Sequence, residues 1–391
     1  MSMYFFLPLL FSFCLMFPLY FIAIKVQLVD YPSSRKHHQG IVPLIGGLGI
    51  FSAMLVAYLV LVSLNRHAEL AQPYAYWLGA GCFVCIGCLD DKYTLNVKIR
   101  LVMQVLITLW LITGDHLRIL TLGHLTSDIP IILPDTVSLA ITILAICGAL
   151  NAFNMIDGVD GLLGIITTIT LCAIGVLFFI QQQPDGYAFC LLVIGALLPF
   201  LIVNIGWPTG QRWKVFMGDA GALLMGFTIV WLLIAGSQGS TLSEPIFRPV
   251  TALWLIALPL MDMAALILRR LQQKRSPFQA DRQHLHHLCL RQGWSQRKTV
   301  GVLGSLSAGC ALIGVFGEQM QLSEPRLFGG FIGLFTVYWG VTTRMSRTQQ
   351  QSTMHEKNVP SATIVPFPSG YHSLSEQNPA NKQSKIVATK K

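Results

Sequence analysis

MYFFLPLLFSFCLMFPLYFIAI, residues 3–24, runs for 22 residues without a charged side chain. At 1.5 Å per residue, about 20 apolar residues cross the hydrocarbon of a bilayer as a helix, the one open structure that satisfies its own backbone there. No basic cluster precedes the run and no small-residue cleavage site follows it, so it reads as a retained span. Working outward, further apolar blocks lie at 44–64, 75–89, 98–113, 136–150, 162–180, 187–205, 220–235, 250–268, 299–316 and 325–342. The sequence thus predicts an all-α, polytopic membrane protein of about eleven transmembrane helices, with residues 1–343 as the membrane domain. Composition agrees: of 391 residues 53% are hydrophobic and 12% charged, half the charge of a typical soluble domain. A soluble enzyme, a disordered chain and a disulfide scaffold are excluded. Residues 344–391, rich in Gln, Ser, Pro and Lys and lacking an apolar period, read as a disordered cytoplasmic tail.

Net charge is +9, and its distribution sets orientation rather than suggesting nucleic acid. With the N-terminus outside, 16 of the 27 Lys and Arg fall in loops on one side, seven more in the tail on that side, and only Arg66, Arg118, Arg248 and Arg326 opposite. The Lys- and Arg-rich side is the cytoplasm. Nine cysteines sit mostly inside apolar blocks; the Cys82, Cys85, Cys88 run lacks a fourth ligand and reads as helix packing.

The scarce polar residues cluster on the predicted cytoplasmic side, where an active site is expected. LDDKYTLNVKIRLVMQ (89–104) carries Asp90 and Asp91, and NAFNMIDGVDGL (151–162) carries Asn151, Asn154, Asp157 and Asp160. NIGWPTGQRWKVFMGDAGALLMGF (204–227) carries Asn204, Phe216 and Asp219, and HLHHLCLRQGW (284–294) carries His284, His286, His287 and Arg291. RKHHQGIVPLIGG (35–47) joins them, its paired glycines reading as close helix packing. Each acid alone could be a solvated helix cap. Together, carboxylates for a divalent cation beside cationic donors suit a diphosphate at a lipid interface. Asn151, Asn154, Asp157 and Asp160 recur every third residue, aligned on a 3₁₀-like turn but fanned by about 60° per step on an α-helix. Asp90 and Asp91 point about 100° apart on a helix, which implies separate roles. On a helix His284 and His287 share a face, with Arg291 one turn on; a zinc site with Cys289 lacks further ligands. An ion-coupled transporter is the rival class. It needs acids at mid-membrane, and only Asp262 lies well inside an apolar block.

Five stretches, RKHHQGIVPLIGG, LDDKYTLNVKIRLVMQ, NAFNMIDGVDGL, VFMGDAG and HLHH, occur in an order and spacing that resembles the polyprenyl-phosphate N-acetylhexosamine-1-phosphate transferase family over roughly residues 1–342. The resemblance implies transfer of GlcNAc-1-phosphate from UDP-GlcNAc to undecaprenyl phosphate, releasing UMP, as the first lipid-linked step of surface polysaccharide synthesis (O-antigen, enterobacterial common antigen). It implies Mg²⁺ (or Mn²⁺) on Asp219 with Asn154, Asp90 as base for the lipid phosphate, and Asp91 and His284 as further catalytic groups. Phe216 would stack on uracil, Asp160 would contact the nucleoside, and the histidine run would take the sugar-diphosphate. Asn151, Asp157 and Asn204 join the substrate-binding set. UDP-MurNAc-pentapeptide or a 6-deoxy-HexNAc donor remain alternatives, and a homodimer in the bacterial inner membrane is compatible with the pattern. Ala222 stands where many relatives have Ser, which puts in doubt a hydroxyl contact there and not the metal site. Two acids allow direct displacement by the lipid phosphate or a covalent phospho-sugar on an Asp. Direct displacement is the simpler, since a phosphate monoester with second pKa about 6 is already a competent nucleophile.

Overall fold

The computed structural model describes residues 1–32, 40–64, 74–115, 117–125, 129–207, 210, 213–239, 245–274, 276 and 284–358. The 35–39 part of RKHHQGIVPLIGG, with Arg35 and Lys36, lies outside them, as does most of the expected tail.

Thirteen helices account for nearly all regular structure among the described residues: α1 (Ser2–Val26), α2 (Gly46–Ser63), α3 (Tyr74–Tyr93), α4 (Val97–Asp115), α5 (Asp135–Ile156), α6 (Leu162–Ile180), α7 (Pro184–Ile205), α8 (Gly218–Gln238), α9 (Pro249–Leu255), α10 (Ala257–Gln272), α11 (Leu285–Arg291), α12 (Gln296–Gln319) and α13 (Glu324–Asn358). The all-α expectation has one departure, an antiparallel ribbon of β1 (Val29–Asp30) on β2 (Val42–Pro43). Seven helices are long and apolar enough to cross a membrane, and α9 with α10 makes an eighth if that pair is one span. Each of the eleven apolar blocks is helical. However, α3, α4 and α13 are not among the seven. The chain is a multi-pass membrane protein, with large apolar side chains such as Phe6, Phe13, Leu106, Leu144 and Phe179 turned outward as lipid requires.

Local chemistry sets the element ends. Prolines open α7 and α9, where a missing N–H costs nothing. Gly206 closes α7 in the left-handed region, and Ser295 caps α12 by accepting the Lys298 N–H at 3.2 Å. The block at 250–268 is bent by 83° between α9 and α10. Pro259 has no N–H for the Leu255 carbonyl four residues back, and the Thr170 hydroxyl of α6 donates to that carbonyl instead, at 3.1 Å.

Residues 1–346 form one compact unit. Its centre is α8, almost wholly buried, against which α2, α3 and α5 pack, while α1 lies outside on α7. The contacts of α8 with α2 and α3 are backbone-close: a Cβ on Gly87 would lie 2.2 Å from Ala220 Cα, and one on Gly47 2.3 Å from Gly221 N. Gly46 and Gly47 donate to the Phe216 and Met217 carbonyls at 3.0 and 3.1 Å, so the paired glycines are a packing device. α13 continues as helix to Asn358, past residue 343.

Candidate active site

The end of α3, the end of α5, the start of α4 and the start of α8 meet, and they bring together three of the polar stretches. Asp91, in the last turn of α3, accepts the backbone N–H groups of Asp219 at 2.8 Å and Ala220 at 3.3 Å. It therefore caps α8 and fixes Asp219 at that helix's first turn, where N–H groups and the helix dipole favour anions. Asn154, near the end of α5, donates from Nδ2 to Asp219 Oδ1 at 2.5 Å. Asp90 turns away from Asp91, as adjacent helical residues must, and reaches the Asp219 side chain and Arg100. Its Oδ1 accepts the Leu95 N–H and its Oδ2 the Arg100 guanidinium, both at 2.8 Å. Arg100 lies 4.0 Å from Asp219 Oδ2 as well, so one cation stands between the two acids.

Neither reading of the every-third-residue pattern holds throughout. Asn151 and Asn154 are helical, α5 ends at Ile156, Asp157 is its C-cap, and Asp160 sits in the turn before α6. Asp157 is pushed up to about 8, first by burial and then by the charges of Asp219, Asp91 and Asp160. Asp160 is instead paired with buried Lys214 at 2.5 Å, and the same ammonium lies 5.2 Å from the centre of the Phe216 ring. Carboxylate, cation and ring thus form one pocket wall.

Two asparagines expected to bind substrate also brace the scaffold. Asn204 accepts the Gly161 N–H at 2.6 Å and donates to the Val215 carbonyl at 2.8 Å, tying the 157–161 turn to the segment before α8. Asn151 donates to the Gln104 side chain at 3.0 Å and the Cys147 carbonyl at 2.7 Å, joining α5 to α4. Both polar atoms of the Asn204 amide and the Nδ2 of Asn151 are engaged with the scaffold.

The histidines reach the same place by another route. His284 is the N-cap residue of α11, outside the helix, so it does not share a helical face with His287. Its ring stacks parallel on that of His286, centroids 5.9 Å apart, and His286 and His287 are 4.2 Å apart. His286 Nε2 lies where a Cβ on Gly158 would stand, between Asp157 and Asp160. Both His286 nitrogens are buried without a protein partner, and burial drives its pKa down to about 3, which keeps the ring neutral. Arg291 is exposed at the end of α11. Asp262, the acid inside an apolar block, accepts from His284 Nδ1 at 2.9 Å, the Leu285 N–H at 3.1 Å and the Tyr338 hydroxyl at 2.8 Å.

Three groups escaped the sequence reading of the site: Arg100, Lys214 and Asp262 as partner of His284. The first two were counted only as loop charge, although both lie inside the quoted stretches. Among the described residues, no three His, Cys, Asp or Glu side chains converge as a ready-made metal cage. The donor set nonetheless fits Mg²⁺, which takes one or two carboxylates and fills its shell with substrate phosphate and water. Asp219, with Asp91 and Asp157 beside it and Arg100 4.0 Å away, offers carboxylate oxygens as ligands.

The sequence pattern of Glycosyl transferase family 4 matches residues 74–237, which hold every acid of the cluster. An undecaprenyl-phosphate alpha-N-acetylglucosaminyl 1-phosphate transferase of Yersinia pestis is 37% identical over 357 residues, 89% of this chain and 95% of that protein. Proteins of the same name from Escherichia coli K12 (40% over 350 residues, 88% and 93%) and Haemophilus influenzae (37% over 339 residues, 85% and 93%) are similar to it as well. The matches define the chain as a membrane-embedded sugar-1-phosphate transferase. The chain belongs to the family of undecaprenyl-phosphate alpha-N-acetylglucosaminyl 1-phosphate transferases.

Proposed function

We propose that this protein transfers GlcNAc-1-phosphate from UDP-GlcNAc to undecaprenyl phosphate, leaving undecaprenyl-diphospho-GlcNAc and UMP. The observation that carries the reading is the meeting of Asp91, Asn154 and Asp219 beside Arg100, with the Lys214, Asp160 and Phe216 wall and His286 on Gly158 next to them. That arrangement has oxygen donors for a cation, cations for phosphates and a flat apolar face for a base. All eleven apolar helices span in this reading, α9 and α10 as one broken span. The excess of Lys and Arg in the loops on its side supports a cluster facing the cytoplasm from the bacterial inner membrane, where UDP-sugars are available.

In this scheme the lipid phosphate attacks the β-phosphorus of the UDP-sugar and UMP leaves. Asp219 and Asn154 would hold Mg²⁺, which would supply Lewis-acid polarisation of the diphosphate. Arg100 faces the same charge from the Asp90 side. Asp90 takes whatever proton the nucleophile still carries. With a second phosphate pKa of about 6 that demand is slight near neutral pH, so the Arg100 pairing is no obstacle. Asp157 gains a counter-charge when cation and substrate enter. Asp160 and Phe216 receive the uridine, and His284, His286 and His287 face the sugar-diphosphate.

The identity of the sugar is tested by offering purified protein, in detergent with Mg²⁺ and undecaprenyl phosphate, three labelled donors: UDP-GlcNAc, UDP-MurNAc-pentapeptide and a UDP-6-deoxy-HexNAc. Label from UDP-GlcNAc should enter the organic phase fastest. Preference for either other donor would reassign the substrate within the same chemistry.

A further inference from the structure

A carboxylate inside an apolar block is costly unless its lone pairs are occupied, and in a membrane protein an unexplained one would favour ion coupling. Asp262, 3% exposed on α10, has three donors: His284 Nδ1 on Oδ2, and the Leu285 N–H and Tyr338 hydroxyl on Oδ1. A carboxylate can only accept, so the proton of His284 sits on Nδ1 and Nε2 is the ring's one remaining hydrogen-bonding atom. The ring itself is 6% exposed and stacked flat on His286, which is lodged against Gly158 between Asp157 and Asp160. Residues from α10, α13 and the entry to α11 thus fix one imidazole in position, rotation and tautomer.

We infer that Asp262, braced by Tyr338, is a positioning residue that holds His284 in the Nδ1–H tautomer with Nε2 turned to substrate. Two consequences follow from the chemistry. The fixed tautomer removes the rotational freedom that a histidine at the end of a long loop would otherwise have to lose on binding. The bond to Asp262 also leaves the Nε2 lone pair as the ring's acceptor, placed for a substrate hydroxyl or amide proton. The inference accounts for the two features the cluster near α8 leaves unexplained, the acid within the span and the contribution of α13 to the site. What Nε2 contacts rests on the transfer reaction proposed above, whereas the tautomer does not.

Two measurements test it. In a double-mutant cycle, Asp262→Asn should lower kcat by about 10- to 100-fold with little change in KM for UDP-GlcNAc. Added to His284→Ala it should cost nothing further. Tyr338→Phe, which keeps the Asp–His pair, should give a smaller loss that also vanishes in the His284→Ala background. Losses that add in full would mean Asp262 acts on folding or on another group, and would overturn the inference. Independently, ¹⁵N ring spectra of histidine-labelled protein, with His284 assigned by difference from His284→Gln, should show Nδ1–H in the parent and a shift toward Nε2–H in Asp262→Asn. An unchanged tautomer would also overturn it. A parent protein inactive on every UDP-sugar would instead sink the transfer reading, and the spectra would still decide the pair.

Discussion

Lys214 is buried beside two groups that want its charge for different reasons. Asp160 takes it as a counter-ion, and the face of Phe216 takes it as a cation over a quadrupole. Lys214→Met keeps the stem and removes the charge, leaving Asp160 unpaired and the ring free to turn. It should raise KM for UDP-GlcNAc about tenfold, roughly 1.4 kcal/mol, with a smaller change in kcat; an unchanged KM would separate Lys214 from the nucleoside pocket. His286 offers a pH signature. Its folded pKa of about 3 lies below the unfolded value of about 6.5, so its neutral burial stabilises the fold above that value and the benefit is lost as pH falls. From pH 6.5 to 5 the loss is about 2 kcal/mol, and a thermal melt of His286→Asn in detergent should show a flatter acid limb than the parent. Sequence named the acids and histidines because charge is so rare here, yet it missed Lys214 and Arg100. Each lies in a stretch where a basic residue already had an adequate explanation as a topological signal.

Asn151 and Asn204 show what the helices add to a motif. An asparagine in a motif suggests a ligand contact, but whether its amide faces a substrate or a neighbouring carbonyl depends on how α4, α5, α7 and α8 approach one another, which no periodicity reveals. The same holds for the bend between α9 and α10, since the hydroxyl of Thr170 that takes the Leu255 carbonyl comes from α6. Helix existence, by contrast, was plain from the apolar blocks, because the bilayer fixes their length. Where α3 meets α8 the argument is steric. Gly87→Val would drive a side chain into the Ala220 backbone, which cannot rotate away, and should destabilise the protein by about 1–3 kcal/mol and shift Asp91 off the α8 cap. A lowered Tm and lost turnover are expected, whereas Gly333→Ala on α13, with open space at its Cβ, should change neither.

Taken together, the bundle gathers Asp90, Asp91, Asp157, Asp160, Asp219, Arg100 and Lys214 in one place and leaves its outer surface to lipid. If the basic loops face the cytoplasm, a cysteine at Ser276 in a cysteine-free background should react only with reagent supplied from the inside. One at Ser323, between α12 and α13, should react only from the outside, and the reverse pattern would invert the topology. The claim on which the rest depends is that the Asp219 cluster carries out sugar-phosphate transfer to a lipid phosphate. The direct measurement is UMP release by purified protein with UDP-GlcNAc and undecaprenyl phosphate at limiting Mg²⁺, for the parent and for Asp219→Asn. We predict UMP and lipid-linked GlcNAc in equal amounts from the parent, requiring both substrates, and a fall of about 100-fold or more in the variant. No release with any UDP-sugar, or parental turnover in Asp219→Asn, would contradict the account.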